Sequence, residues 1–319
     1  MSEKIAKMSR GDRWLYALKI KSWPKLLVPF LLGQCMGLVY SDAPSLVTFL
    51  LGFCFTVFLL CYIVLLNDYA DIAVDTIKRE LFPNDCSPKT IPDNILNKNS
   101  ILIVGLLFGI LCILTSVFAE YYLGKPFLIL FSLLCVFVFA AYSLPPIRLN
   151  YRGGGEFLEM IGVGLMLPLF HFYLQAGMSI DFYLISLLGL STIFALASAL
   201  ASGLSDEMSD KAGGKTTFVT LLGNVLVRRI INITLVTNYI LFLLFFIIYF
   251  AKFSLLVPFV LIPYLVYQLL LVLKKSQIAI TNAFEAQRIY KDHIHKMIWG
   301  SLTIYGILTF FGSMTPPCL

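Results

Sequence analysis

Charge is what this chain has least of. Only 13% of its 319 residues are Asp, Glu, Lys or Arg, against about 25% in an ordinary soluble domain, too few to coat a water-soluble globule. Histidine is nearly absent, with three in the whole chain. The seven cysteines, at 35, 54, 61, 86, 112, 135 and 318, form no C-x-x-C pair and no zinc-like spacing with His. A disulfide scaffold and a zinc site are thereby excluded, and the cysteines read as small hydrophobes. The stretch from Met1 to Lys25 is polar and basic and lacks the early apolar run of a cleaved signal peptide. Cys318 makes no prenylation box. The net charge of +6 does not gather on one face, which argues against a nucleic-acid partner.

What the chain has is apolar length. Hydrophobic residues make up 59%, with 27 Phe and 16 Tyr, and the mean hydropathy is +0.87. This composition predicts an all-α membrane protein with the lipid bilayer as its solvent. Strands are excluded because the runs are too continuous for a barrel and open sheet edges fail in lipid. Nine segments are long enough to cross a hydrocarbon core of about 30 Å. They lie at approximately 25–41, 45–67, 100–120, 126–145, 157–176, 180–204, 230–250, 253–273 and 297–314. Nine crossings leave ten connecting segments that alternate sides, and the basic residues alternate with them. On that count 22 of the 24 Lys and Arg fall on one side, leaving only Lys125 and Lys252 on the other. The positive-inside rule then places the N-terminus in the cytoplasm, the C-terminus opposite, and loops 68–99 and 205–229 on the cytoplasmic side. The whole chain, 1–319, reads as one polytopic domain with a basic tail at 1–24.

The acidic residues that matter follow two of these spans. In the first cluster come Asn67, Asp68, Asp71 and Asp75. On a helix continuing from the second span at 100° per residue, the three carboxylates point at roughly 0°, −60° and −20°, with Asn67 at about −100°, so all share a face. In the second cluster Asp206 and Asp210 stand at i and i+4. Carboxylates at this spacing repel one another, so positive charge is expected between them. Oxygen donors without His or Cys favour Mg²⁺ or Ca²⁺, and Mg²⁺ commonly binds through a few carboxylates plus phosphate oxygens. Five aspartates with two Mg²⁺ leave −1, and a diphosphate of roughly −3 brings the site to about −4, so further cations are required. Lys78, Arg79, Lys89, Arg148, Arg152, Lys211 and Lys215 are on the same side and are suited to phosphate oxygens.

These residues resemble the UbiA superfamily of intramembrane prenyltransferases, and the resemblance covers nearly the whole chain. Asn67, Asp68, Asp71 and Asp75 meet its first motif, N-D-x-x-D-x-x-x-D. Asp206, Asp210, Gly214, Lys215 and Thr217 meet the second, D-x-x-x-D followed by G-K-x-T. The run from Tyr142 to Leu149, with Gly153, Gly155 and Glu156, is similar to the family's loop after the fourth span. The motif forms are most similar to the branch that prenylates 1,4-dihydroxy-2-naphthoate in menaquinone synthesis. Three features depart from common family patterns. Lys89-Thr90-Ile91-Pro92 stands where many members have R-P-x-P, Ser202 to Ser205 replace an Asn and Arg before the second motif, and Pro146 removes the Y-x-x-x-K element after Tyr142.

The resemblance implies a bundle of nine transmembrane helices with both Asp-rich motifs at the cytoplasmic mouth of a central cavity. It implies that Asp68 and Asp71 hold one Mg²⁺, Asp206 and Asp210 a second, with Asn67 and Asp75 completing the first site. Lys215 then stabilises the leaving diphosphate, while Lys78, Arg79, Lys89, Arg148, Lys211 and Tyr142 lie on the diphosphate or substrate side. The expected activity is ionisation of an allylic polyprenyl diphosphate and transfer of the prenyl group to an aromatic acceptor. A terpene cyclase that needs no acceptor would share every metal ligand. A transporter is disfavoured because the carboxylates sit at one interface and not at the bilayer midplane. Gln34, His171 and Gln175 read as interhelical hydrogen-bonding residues. Glu156 and Glu159 are left open between helix-dipole and acceptor roles, and Asp292, His293 and His295 read as a solvated loop.

Overall fold

The computed structural model describes residues 8–41, 45–250 and 256–314. Twelve helices are labelled in chain order as α1 Arg10–Ala17, α2 Pro24–Val39, α3 Leu46–Ala70, α4 Ile72–Leu81, α5 Lys98–Leu123 and α6 Leu128–Ser143. They continue as α7 Gly155–Ala176, α8 Phe182–Ala212, α9 Phe218–Leu222, α10 Asn224–Phe250, α11 Leu256–Ser276 and α12 Phe284–Met314. Among the described residues no strand forms, and one isolated bridge joins Arg152 to Thr216. Over its described residues, each of the nine apolar segments marked on the sequence overlaps a helix. Five of these helices, α3, α5, α7, α8 and α10, are long and apolar enough to cross a membrane, while α2 and α6 are shorter apolar helices. Cys318 and the first seven residues lie outside the described residues, and the six described cysteines are free.

Local signals start and stop the helices. Ser45, Asn97 and Asp181 cap α3, α5 and α8 by accepting the backbone N–H three residues on. Gly124, at φ 64°, ends α5 in the left-handed region. Inside α7 a π-turn covers Gly162–Met166, directly before Pro168, and absorbs the hydrogen bond that the proline cannot donate.

The packing is that of a protein dissolved in lipid. On α5 the buried positions include Gly105, Gly109, Cys112, Ser116 and Ala119. The exposed ones include Ile103, Leu107, Leu114 and Phe118. Small residues inward and large apolar ones outward let helices approach closely where burying apolar area gives no advantage over lipid. The Tyr62 ring of α3 fills the space beside Gly109, where a Cβ would lie 2.9 Å from it. Helix α2 packs on α7 and α12, α3 on α5, and α8 on α10 and α12. This brings the far ends of α3 and α8 together at one end of the bundle.

Two sequence expectations are corrected. The region 68–99 is not one loop, because α3 runs to Ala70 and α4 follows from Ile72, leaving turns over 82–97. The first motif therefore straddles a helix break and does not lie on one continuous helix. Asp71, at φ −99° and ψ 15°, sits at the break. The Arg148 guanidinium holds the Ala70 carbonyl at 2.5 Å, satisfying a helix-end acceptor. Likewise α8 continues through the second motif to Ala212, so 205–229 is helical over much of its length.

Candidate active site

Helix α8 ends just after Asp210, and the chain then reverses. Gly214 at φ 67° takes the left-handed conformation that the reversal requires, and the Lys215 N–H returns to the Asp210 carbonyl at 2.8 Å. The Lys215 ammonium is thereby placed 3.1 Å from Asp71 Oδ2 and 3.9 Å from Asp210 Oδ1. One lysine thus bridges the two aspartate motifs. Hydrogen bonds from Gly153 N to Thr216 O (2.9 Å) and from Thr216 N to Tyr151 O (3.3 Å) tie this segment to the loop after α6.

The remaining aspartates are partnered in the same way. Asp68, buried, accepts from Lys19 through Oδ1 and from Thr90 Oγ1 at 2.6 Å through Oδ2. Asp75 accepts from Lys89, and Asp206 from Lys78. Positive charge does sit between the carboxylates as their repulsion requires, but it is lysine. Because ammonium groups are interleaved, no three His, Cys, Asp or Glu side chains converge on a metal position among the described residues. Burial alone would lower the Lys215 ammonium, but the Asp71, Asp210 and Asp206 carboxylates outweigh it and hold Lys215 above its ordinary value. Lys19 is raised likewise, burial being overcome chiefly by Asp68 and Asp75.

Two buried oxygens are left over. Asn67 Oδ1 and Asp71 Oδ1 have no hydrogen-bond partner, and a buried acceptor in that state is costly unless something binds it. Both are hard oxygen donors of the first motif, a donor chemistry that fits Mg²⁺.

Of the residues expected on the diphosphate side, two are engaged elsewhere and a third is exposed. Arg79 forms a two-pronged pair with buried Asp93, Nε to Oδ1 at 2.7 Å and Nη2 to Oδ2 at 2.6 Å, and reaches the Pro83 carbonyl at 2.9 Å. It organises the 82–97 turns, to which the Tyr16 hydroxyl also fastens α1 through Asp93 at 2.5 Å. Arg148 is committed to the Ala70 carbonyl and stacks over the Tyr151 ring at 3.6 Å. Lys211 is exposed and makes none of these contacts. The structure brings together Asn67, Asp68, Asp71, Asp75, Lys78, Lys89, Tyr142, Asp206, Asp210 and Lys215.

Lys19, Thr90 and Lys291 were not among the candidates. Lys19 was legible only as one of many tail cations; its left-handed backbone, φ 46° and ψ 53°, turns it back from the end of α1. Thr90 was visible as the residue occupying the proline position of R-P-x-P. Lys291, on α12, donates to Ser205 Oγ at 3.1 Å. Its neighbours Asp292, His293 and His295 lie on that helix and not in a loop, with His295 Nε2 3.0 Å from Ser198 Oγ.

Two cavities adjoin the motifs. A mainly apolar one of about 220 Å³ is walled by Leu60, Val64 and Asn67 from one face of α3, Phe139 and Tyr142 from α6, and Glu159 and Val163 from α7. A wider one of about 950 Å³ is strongly cationic, including Lys19, Lys25, Lys78, Lys291 and Lys296. Lys19, Ser22 and Lys25 belong to both.

Residues 26–290 match the UbiA prenyltransferase family. The chain belongs to that family, whose members are prenyltransferases, and is a multi-pass integral membrane protein. A UbiA homologue from Archaeoglobus fulgidus bound to DMAPP and Mg²⁺ superposes with a TM-score of 0.68 at 15% identity, over 94% of this chain and 99% of that one. An apo UbiA homologue from Aeropyrum pernix K1 gives 0.64 at 12% identity, over 88% and 98%. Digeranylgeranylglyceryl phosphate synthase gives 0.60 at 17% identity, over 94% and 100%. At these identities the likeness is one of fold. No curated protein sequence matches the chain.

Proposed function

We propose that the protein is an Mg²⁺-dependent intramembrane prenyltransferase that ionises an allylic polyprenyl diphosphate and passes the prenyl group to an aromatic quinone precursor such as 1,4-dihydroxy-2-naphthoate. The observation that carries this reading is Lys215 between Asp71 and Asp210, together with the two buried, unpartnered oxygens that the first motif keeps on Asn67 and Asp71. A diphosphate would meet ammonium groups that are already held beside the aspartates of both motifs. Asn67, Asp68, Asp71 and Asp75 on one side, and Asp206 and Asp210 on the other, would hold the two metal ions. Bound Mg²⁺ would neutralise charge on the diphosphate oxygens and ease departure of the leaving group. Other members of the fold support this cofactor and substrate class, since the Archaeoglobus fulgidus homologue occurs bound to DMAPP or GPP with Mg²⁺.

The lysines have two partners to choose between. Each is paired with an aspartate in the present arrangement. Transferring Lys19, Lys78, Lys89 and Lys215 to diphosphate oxygens frees the carboxylates for metal without changing the net charge that this chain contributes. The charge developing on the leaving group is then stabilised in a site where water does not compete. On the carbon side, Phe139 and Tyr142 line the smaller cavity and would attract the allylic cation through their rings, by about 2 kcal/mol or more when desolvated, while the apolar wall would keep water from it. The nine crossings, with both motifs at the cytoplasmic face, complete the proposal.

The test is purified protein in bilayers with Mg²⁺ and a series of allylic diphosphates, with and without hydroxybenzoate or dihydroxynaphthoate, following diphosphate release and lipid products. Acceptor-dependent prenylated product is expected. Release without acceptor, giving a cyclic hydrocarbon or alcohol, would identify a cyclase; no release from any diphosphate would remove diphosphate chemistry altogether.

A further inference from the structure

Glu159 is the carboxylate on the wall of the smaller, mainly apolar cavity. It is 9% exposed, and no aspartate of the two motifs lines that space. Its companion Glu156 is already used, its Oε1 accepting the Phe218 N–H at 2.9 Å and fixing the start of α9. Glu159 has a single partner among the described residues, Lys25 of α2, with Nζ 2.5 Å from Oε1. Burying a carboxylate here is unfavourable, and anchoring one helix to another does not require placing it on a cavity wall.

The wall gives the direction of the chemistry. Leu60, Val64 and Asn67 run down one face of α3 into Asp68, so the cavity abuts the first motif, while Glu159 and Val163 face it from α7 one turn apart. Tyr142 of α6 lines the same space. A ring held in this space has the leaving-group site on one side and a carboxylate on the other.

We infer that Glu159 is the proton acceptor of the transfer reaction, removing the proton that the acceptor must lose once its new bond has formed. This rests on the transferase reading above. The allylic C–O bond breaks and its electron pair leaves with the diphosphate. The acceptor's π electrons form the new bond to the allylic carbon. The displaced proton passes to the Glu159 carboxylate, and the electron pair of the broken C–H bond restores the aromatic ring. Lys25 protects the arrangement, because a carboxylate held by an ammonium is less readily alkylated by the allylic cation beside it.

The test separates ionisation from transfer. Full-length protein in bilayers is given Mg²⁺, an allylic diphosphate and the acceptor, and both released diphosphate and prenylated product are counted. For Glu159→Gln, product per diphosphate released is expected to fall about 100-fold, the lower end for loss of a general base, with prenyl alcohol from water capture replacing it. Glu159→Asp, which keeps a carboxylate, is expected to recover a large part of the coupling. A parallel fall in release and product in both variants would mean that Glu159 only anchors α2 to α7, and unchanged coupling in Glu159→Gln would also overturn the inference. Failure of the transferase reading itself looks different, since the wild-type protein would then yield no acceptor-dependent product.

Discussion

Among the places where the bundle buries polar side chains, two are built differently. Away from the motifs, Gln34 of α2, Thr56 of α3, and His171 and Gln175 of α7 form a neutral, closed set. His171 Nε2 lies 2.8 Å from Thr56 Oγ1, His171 Nδ1 lies 3.3 Å from Gln34 Nε2, and Gln175 Nε2 donates to Gln34 Oε1 at 2.7 Å. At the motif end the buried set is charged, each aspartate is held by a lysine, and two oxygens remain without partners. Both sets lock helices together. Only the second keeps unused acceptor oxygens, Asn67 Oδ1 beside the smaller cavity and Asp71 Oδ1, and that difference is what suits it to the proposed chemistry.

Asparagine at Asp71 or at Asp210 should sharpen the contrast most, lowering Mg²⁺-dependent diphosphate release about 1,000-fold, the upper range for one preorganised charge. Glutamine at His171 should leave that rate within severalfold of wild type; a collapse comparable to the aspartate variants would erase the distinction. Arg79→Ala should act on stability, because it leaves Asp93 buried without its charge partner. A loss of about 3–5 kcal/mol is expected, read as a lower thermal midpoint in lipid, with activity per folded molecule retained. Thr56→Val leaves one His171 nitrogen unpaired and should cost about 1–3 kcal/mol, again without loss of release activity. The smallest effect concerns pH. Because Lys215 is raised when folded, its pairs contribute stability that is fully present below the unfolded lysine value of about 10.4 and is lost as pH rises through the folded value. The thermal midpoint should therefore not decline on account of Lys215 between pH 7 and 9.5, and the Lys215→Met variant measures that contribution directly.

Much of this was written in the chain. Long uncharged runs marked where helices lie, since lipid leaves few other choices for a backbone, and the N-D-x-x-D-x-x-x-D spacing marked aspartates that are paired with lysines across the bundle. The break at Asp71 escaped detection because nothing in Ala70-Asp71-Ile72 breaks a helix by propensity; a guanidinium from another helix end makes it possible. Arg79 and Arg148 were read as phosphate partners because side and charge were legible while commitment to Asp93 and to the Ala70 carbonyl was not. Lys19 was hidden for the opposite reason, one cation among seven between Met1 and Lys25. Local periodicity is a property of one segment, whereas pairing across the bundle depends on helices whose relative placement no single segment encodes.

The central claim is that Asp71 and Asp210 work as one unit across Lys215. A double-mutant cycle on the rate of Mg²⁺-dependent diphosphate release, with Asp71→Asn, Asp210→Asn and the pair, tests it most directly. If they act together, the double variant should fall within about threefold of the worse single one. Losses that multiply, or single variants that keep the wild-type rate, would contradict the account.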